Sequence, residues 1–152
     1  MTSILCIGDF GTGDEGQYLV ADLLKFLVKK HNCKFILGLG DNIYPDGVSN
    51  IKDTQFFDKF EKPYLDLPEN IKFYHVLGNH DYHIKVSPLN EIKYTHISNR
   101  WVMPHNFYCF RKKINKVPVE FIGIDTNLSK MKNRKLQEQW LLNTIHESRS
   151  RW

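Results

Sequence analysis

Asp9, Asp41, Tyr44, Asn79 and His80 are residues whose types and spacing could do chemistry. All but Tyr44 lie just after a short apolar run and a glycine. Ile4–Ile7 leads to Gly8-Asp9, Phe35–Leu39 to Gly40-Asp41, and Phe73–Leu77 to Gly78-Asn79-His80-Asp81. Two carboxylates, an amide oxygen and an imidazole are donors for hard or borderline cations. A carboxylate can bridge two cations about 3.5–4 Å apart, the spacing of two-metal phosphoryl-transfer sites. Tyr44 follows Asp41 on the same loop, and a phenolate is a strong oxygen donor for a hard trivalent ion such as ferric iron. A glycine before each ligand lets the backbone turn sharply and a cation approach. A lone Gly-Asp reads as a turn or a helix cap. Repeated in order along the chain, the pattern reads as a site.

The donors meet only if the segments before them are neighbouring strands. Short apolar runs bounded by glycine suit buried strands of a largely parallel sheet. Between the first two, Leu19, Val20, Leu23, Leu24, Leu27 and Val28 recur at helical spacing and predict a helix over Gln17 to Lys30. The chain therefore opens β-α-β, with its polar residues at the carboxyl edge, where open α/β sheets bind ligands. Phe56, Phe57 and Phe60 predict a short helix within Asp53 to Tyr64, stopped near Pro63. A second short helix is expected near Pro88 to Ile97. Phe107 to Lys113 and Val117 to Ile124 predict a hairpin turning at Asn115 and Lys116. Leu136, Trp140, Leu141 and Ile145 predict an amphipathic helix over Arg134 to Arg151.

Composition bounds the rest. The chain has 152 residues, 41% hydrophobic and 25% charged, which suits one globular α/β domain over 1–152. A formal net charge of +4, dispersed along the chain, argues against a nucleic-acid partner. No apolar run reaches the ~20 residues of a membrane span. Cys6, Cys33 and Cys109 form no Cys-x-x-Cys pair and are expected to be buried reduced thiols. The start, Met1-Thr2-Ser3-Ile4, lacks the charges and length of a signal peptide and predicts a cytoplasmic protein. Trp101 and Trp140 are expected in the core. Arg111, Lys112, Lys113 and Lys116 are expected to form a solvated turn.

With Gly8-Asp9-Phe10-Gly11, Gly40-Asp41-Asn42-Ile43-Tyr44 and Gly78-Asn79-His80-Asp81-Tyr82 in place, the sequence resembles the calcineurin-like metallophosphoesterases, and among them the purple, tartrate-resistant type acid phosphatases. Arg100-Trp101-x-Met103-Pro104, Phe107-Tyr108, Val119-Glu120-Phe121 and Ile124-Asp125-Thr126 extend the agreement. Gly11 stands where many relatives carry His, and Tyr44 matches the residue that colours the purple branch. The resemblance implies part of a four-layer α/β/β/α sandwich. It implies a dinuclear centre of ferric iron plus a divalent iron, zinc or manganese. Asp9 and Tyr44 would bind the ferric ion, Asp41 would bridge, Asn79 would bind the divalent ion, and His80 would protonate the leaving alkoxide. The implied reaction is hydrolysis of a phosphomonoester by a metal-bound hydroxide attacking phosphorus.

The resemblance is to the front half of the family's catalytic domain. The family's later ligands, a lone His and a Gly-His-x-His motif, have no counterpart, and no Gly-His dipeptide occurs. Of His31, His75, His83, His96, His105 and His146, only His83 adjoins a motif. Weak metal binding, an exposed sheet edge and self-association are expected. The alternatives to an active phosphatase are an inactive remnant, a binding or regulatory module, or half of an enzyme completed by a partner chain.

Overall fold

The computed structural model describes residues 3–150. Met1, Thr2, Arg151 and Trp152, which include the predicted end of the last helix, lie outside them. Four parallel strands form one sheet in the order β1 (Ser3–Ile7), β2 (Cys33–Gly38), β3 (Lys72–His75) and β4 (Trp101–Val102). β5 (Tyr108–Ile114) and β6 (Val117–Gly123) form an antiparallel hairpin. The helices are α1 (Glu15–Lys30), α2 (Ser87–Tyr94) and α3 (Arg134–Glu147).

α1 starts where the Asp14 carboxylate accepts from the Gln17 N–H at 2.9 Å, with Glu15 in the first turn and Lys29 and Lys30 in the last. Both charge placements complement the helix dipole. α1 packs beside β2. The hairpin covers the sheet through aromatic contacts: Phe110 stacks on Tyr74 at 3.8 Å, and Phe121 meets Phe35 edge-on at 5.2 Å. Trp140 of α3 lies 5.0 Å from Phe107, the residue before β5. The succession of helix, parallel sheet, hairpin and helix is an α/β arrangement that forms part of an α/β/β/α sandwich. Asn115 and Lys116 turn the hairpin with φ of 49° and 72°, the left-handed geometry of a two-residue turn.

Several expectations change. α1 buries Gln17, Ala21, Leu24 and Val28, whereas Leu19, Leu23 and Phe26 are more than half exposed. α3 buries Gln137, while Leu136 and Ile145 face outward and Trp140 is half-buried. These helices carry more apolar surface than the described layers cover. The predicted Asp53–Tyr64 helix holds a single wide turn, Phe57–Glu61, that buries Phe56 and Phe60 and exposes Phe57. Trp101 and Val102, for which no strand is predicted, pair with β3. Cys33 is buried, but Cys6 and Cys109 are exposed: Cys6 lies on β1, at the edge of its sheet, and Cys109 on the hairpin. Arg111 is not simply solvated: its guanidinium donates to Glu120 across the hairpin at 2.6 Å. Among the described residues, no helix is long and apolar enough to cross a membrane.

Candidate active site

The parallel sheet brings three loops together at its carboxyl edge. Asp9 and Asp41 follow β1 and β2 with φ of 56° and 52°. This left-handed backbone is uncommon for a residue with a side chain and marks a place where tertiary structure imposes the conformation. Gly40, at φ 101°, makes the turn into Asp41. Gly78 serves by close approach instead, since a Cβ there would stand 2.1 Å from Asp41 Oδ1. Gly8 meets neither condition: its φ is not left-handed and a Cβ would be in ordinary contact, so the glycine at this position is not demanded.

The Tyr44 hydroxyl lies 2.8 Å from both Asp9 Oδ1 and Asp41 Oδ2. Asp41 Oδ1 accepts from the His80 backbone N–H at 2.9 Å. The His80 ring packs 4.4 Å from the Tyr44 ring. His80 Nδ1 donates to the Pro45 carbonyl at 2.6 Å, which fixes the ring and leaves Nε2 as its working nitrogen. Asp9, Asp41, Tyr44 and His80 are thus brought together. Asn79 adjoins His80 on the same loop, with an exposed side chain at the start of the short turn His80–Tyr82.

Three oxygens meet here around one phenolic proton. That proton serves one carboxylate at a time, so the other contact is oxygen against oxygen. Burial, then the hydrogen bonds to Asp9 and Asp41, push the Tyr44 phenol well above its ordinary value. The proton leaves readily only if a strongly charged cation takes its place. The donor set of Asp9, Tyr44 and Asp41 therefore fits one hard trivalent ion. A second cation fits poorly. Asn79 and the shared Asp41 are its donors, and among the described residues no three His, Cys, Asp or Glu side chains converge to hold a metal.

Beneath these groups lies a buried network whose roles the sequence did not reveal. Asp81 is fully buried. It accepts from the N–H groups of Asn42, Ile43 and Gly78, at 2.9, 3.2 and 2.8 Å, and from the Asn42 side chain at 3.0 Å. The Asn42 amide also donates to Glu91 Oε2 at 3.1 Å. Glu91 in turn accepts from the Ser87 hydroxyl. Burial raises both carboxyl groups; the charge of Asp81 raises Glu91 further, and that of Asp41 raises Asp81 further. Asn42 Oδ1 accepts from His75 Nδ1 at 3.1 Å. Asp81 and Asn42 already stand inside the Gly-Asn-His-Asp and Gly-Asp-Asn motifs, which was the available signal.

His75 is fully buried beside Trp101, with Nε2 unpartnered, and burial holds its imidazole down to about 3. The native state therefore binds fewer protons than the unfolded chain between pH 6.5 and about 3. Stability from this group is complete above pH 6.5 and is lost as pH falls, at up to about 1.4 kcal/mol per pH unit. Its neighbours Asp81 and Glu91, reached through Asn42, titrate with the opposite slope. Comparing wild type with His75→Gln by urea unfolding from pH 7 to 5 isolates the difference. Wild type is expected to lose stability faster on acidification, and parallel curves would refute this.

The sequence model of the calcineurin-like phosphoesterase family matches residues 2–150. The chain belongs to the calcineurin-like metallophosphoesterases. Rabbit (Oryctolagus cuniculus) tartrate-resistant acid phosphatase type 5 is 37% identical over 103 residues, covering 66% of this chain and 31% of that protein. Purple acid phosphatase 7 of Arabidopsis thaliana is 32% identical over 126 residues, covering 82% of this chain and 37% of its own length. The solved structure of GAP50, the anchor in the inner membrane complex of Plasmodium, superposes with a TM-score of 0.76 at 25% identity, over 93% of this chain and 48% of that one. The chain thus spans about a third of the length of the curated relatives.

Proposed function

We propose that this chain carries the ferric-ion and proton-donor part of a phosphomonoesterase site of the purple acid phosphatase type. The observation that carries this reading is the cluster of Asp9, Tyr44 and Asp41 oxygens around one proton, with His80 against it. A ferric ion paired with a divalent iron, zinc or manganese, when bound, polarises phosphoryl oxygens and acidifies the attacking water. Asp9, Tyr44 and Asp41 would hold the ferric ion, and Asp41 with Asn79 would face the divalent one. The backbone N–H of His80 keeps Asp41 turned toward Tyr44. The Pro45 carbonyl keeps the imidazole oriented, so that a proton on Nε2 is delivered to the leaving alkoxide.

The test is metal content of the purified chain after equilibration with ferric iron plus zinc and removal of loose metal. About one ferric ion per chain is expected, on the three-oxygen argument. A visible phenolate-to-iron absorbance should accompany it, and both should disappear in Asp41→Ala. Iron uptake indistinguishable between wild type and Asp41→Ala would overturn the reading.

The shortage of donors for the second cation favours one alternative, half of an enzyme completed by a second polypeptide or a second copy. β1, at one end of the sheet, pairs with β2 alone among the described residues and leaves an edge for such a partner. Full zinc uptake only when a candidate partner is added would select it. Iron uptake with no phosphatase activity under any partner would leave a binding or regulatory module.

A further inference from the structure

A groove of about 760 Å³ opens beside the site, within the size range of small-molecule pockets. His83 stands in its wall, and the His83 ring lies 4.6 Å from that of His80. The groove therefore begins next to the proposed proton donor. Its sides come from different parts of the chain: Leu89 and Ile92 of α2, Lys85 before it, and Lys130, Met131 and Lys132 before α3.

The chemistry of the lining has two parts. Leu89, Ile92 and Met131 give an apolar strip, and Leu89 keeps more than half its surface exposed. The three lysines put three ammonium groups around it, and the lining contains no Asp or Glu. The nearby carboxylates are already engaged. Asp125 is buried below, accepting from the Tyr82 hydroxyl and from Asn106, and Asp46 pairs with His83 at 2.9 Å. Like charges around an apolar cleft focus a positive potential that a counter-ion relieves. A neutral apolar guest would use the strip and leave the lysines unmatched. A small inorganic anion would do the reverse.

We propose that this groove receives the alcohol part of the phosphomonoester, and that the favoured alcohol is an apolar frame carrying its own anionic group. The proposal rests on the phosphomonoesterase reading for the word alcohol, while the groove's preference for an apolar anion is a property of the lining alone. The phosphate would sit at the Asp9–Tyr44–Asp41 cluster, His80 at the bridging oxygen, and the remainder of the ester along the strip under the lysines. Specificity then lies in a second anionic group, not in the phosphate that every ester of this class shares.

The test is a fluorescence titration of the full chain without added metal. The probes are 2-naphthol-6-sulfonate and uncharged 2-naphthol, which share the apolar frame. The sulfonate is expected to bind about tenfold tighter, or roughly 1.4 kcal/mol. Lys130→Glu/Lys132→Glu should remove most of that advantage while naphthol binding stays within about twofold. Lys113→Glu/Lys116→Glu makes the same charge change at the distant hairpin and should leave the advantage in place. Equal affinity for the two probes would overturn the proposal. So would equal losses in the two double variants, which would show a general charge effect. Ferric uptake is measured in parallel: a failed phosphatase reading shows in the iron, a failed groove in the sulfonate.

Discussion

Asp81→Ala is expected to lower the unfolding free energy by about 3–5 kcal/mol, a large part of the stability of a domain this size. Asp81 is fully buried and its two oxygens receive three backbone N–H groups and one amide, drawn from the loops after β2 and β3. Deleting the carboxyl takes the acceptor from the three backbone N–H groups, each such loss costing about 1–3 kcal/mol, while the Asn42 amide keeps the Val76 carbonyl and Glu91. Relief of Glu91, whose own carboxyl is disfavoured by Asp81, offsets part of the loss. Asp81→Asn retains one acceptor oxygen and should cost less than half as much. The same contacts set Asp41 against Gly78 and His80, so Asp81→Ala should also reduce ferric uptake when the protein is kept folded at low temperature. Urea unfolding of the two variants measures the effect, and a loss below about 1 kcal/mol for Asp81→Ala would show that other groups hold the loops.

Gly11→Ala should be comparably severe, for steric reasons. A Cβ at position 11 would stand 1.7 Å from the Asn42 carbonyl oxygen and 2.9 Å from the Ile43 Cα. Both are backbone atoms, so no side-chain rotation relieves the overlap. Just beside it the Gly11 carbonyl accepts from the Tyr44 N–H at 2.8 Å. The loops carrying Asp9 and Tyr44 therefore touch backbone to backbone, and an added methyl must part them. Overpacking commonly costs about 1–3 kcal/mol where side chains can yield, and this site offers only main chain. Gly11→Ala is expected to lose phenolate-iron absorbance even where it folds, because Tyr44 and Asp9 no longer meet. Gly11→His, which places a larger side chain at the same point, should fail in the same way. Wild-type iron uptake by either variant would show that the loops shift freely. Gly13→Ala is the contrast: its Cβ would meet only the flexible Lys59 side chain, at 3.2 Å, although its φ of 78° still adds strain.

The apolar surface left on α1 and α3 bears on how the chain is handled. Leu19, Leu23 and Phe26 on one helix and Leu136, Leu142 and Ile145 on the other are all more than half exposed. Patches of this kind mark association surfaces. They accord with a chain that spans only part of its relatives' length.

The sequence by itself determined the parallel β-α-β opening, the hairpin turning at Asn115, and the placement of Asp9, Asp41, Tyr44 and His80 at one sheet edge. These follow from signals confined to a few neighbouring residues: an apolar run ended by glycine, and a helical period. Only the tertiary structure decided which stripe of α1 is buried, because that helix is apolar on two sides and its period alone does not choose between them. Tertiary structure also decided that Trp101 pairs with β3, that the segment after Phe56 winds as one wide turn, and that Cys6 and Cys109 face outward. The link from Asp81 to Asn42 spans 39 residues, and that from Asn42 to Glu91 spans 49. Local pattern says what a residue prefers to do. It does not say which distant donor will be desolvated beside it, and in the buried network under Asp41 and in the lysine-rimmed groove that pairing decides what each residue does.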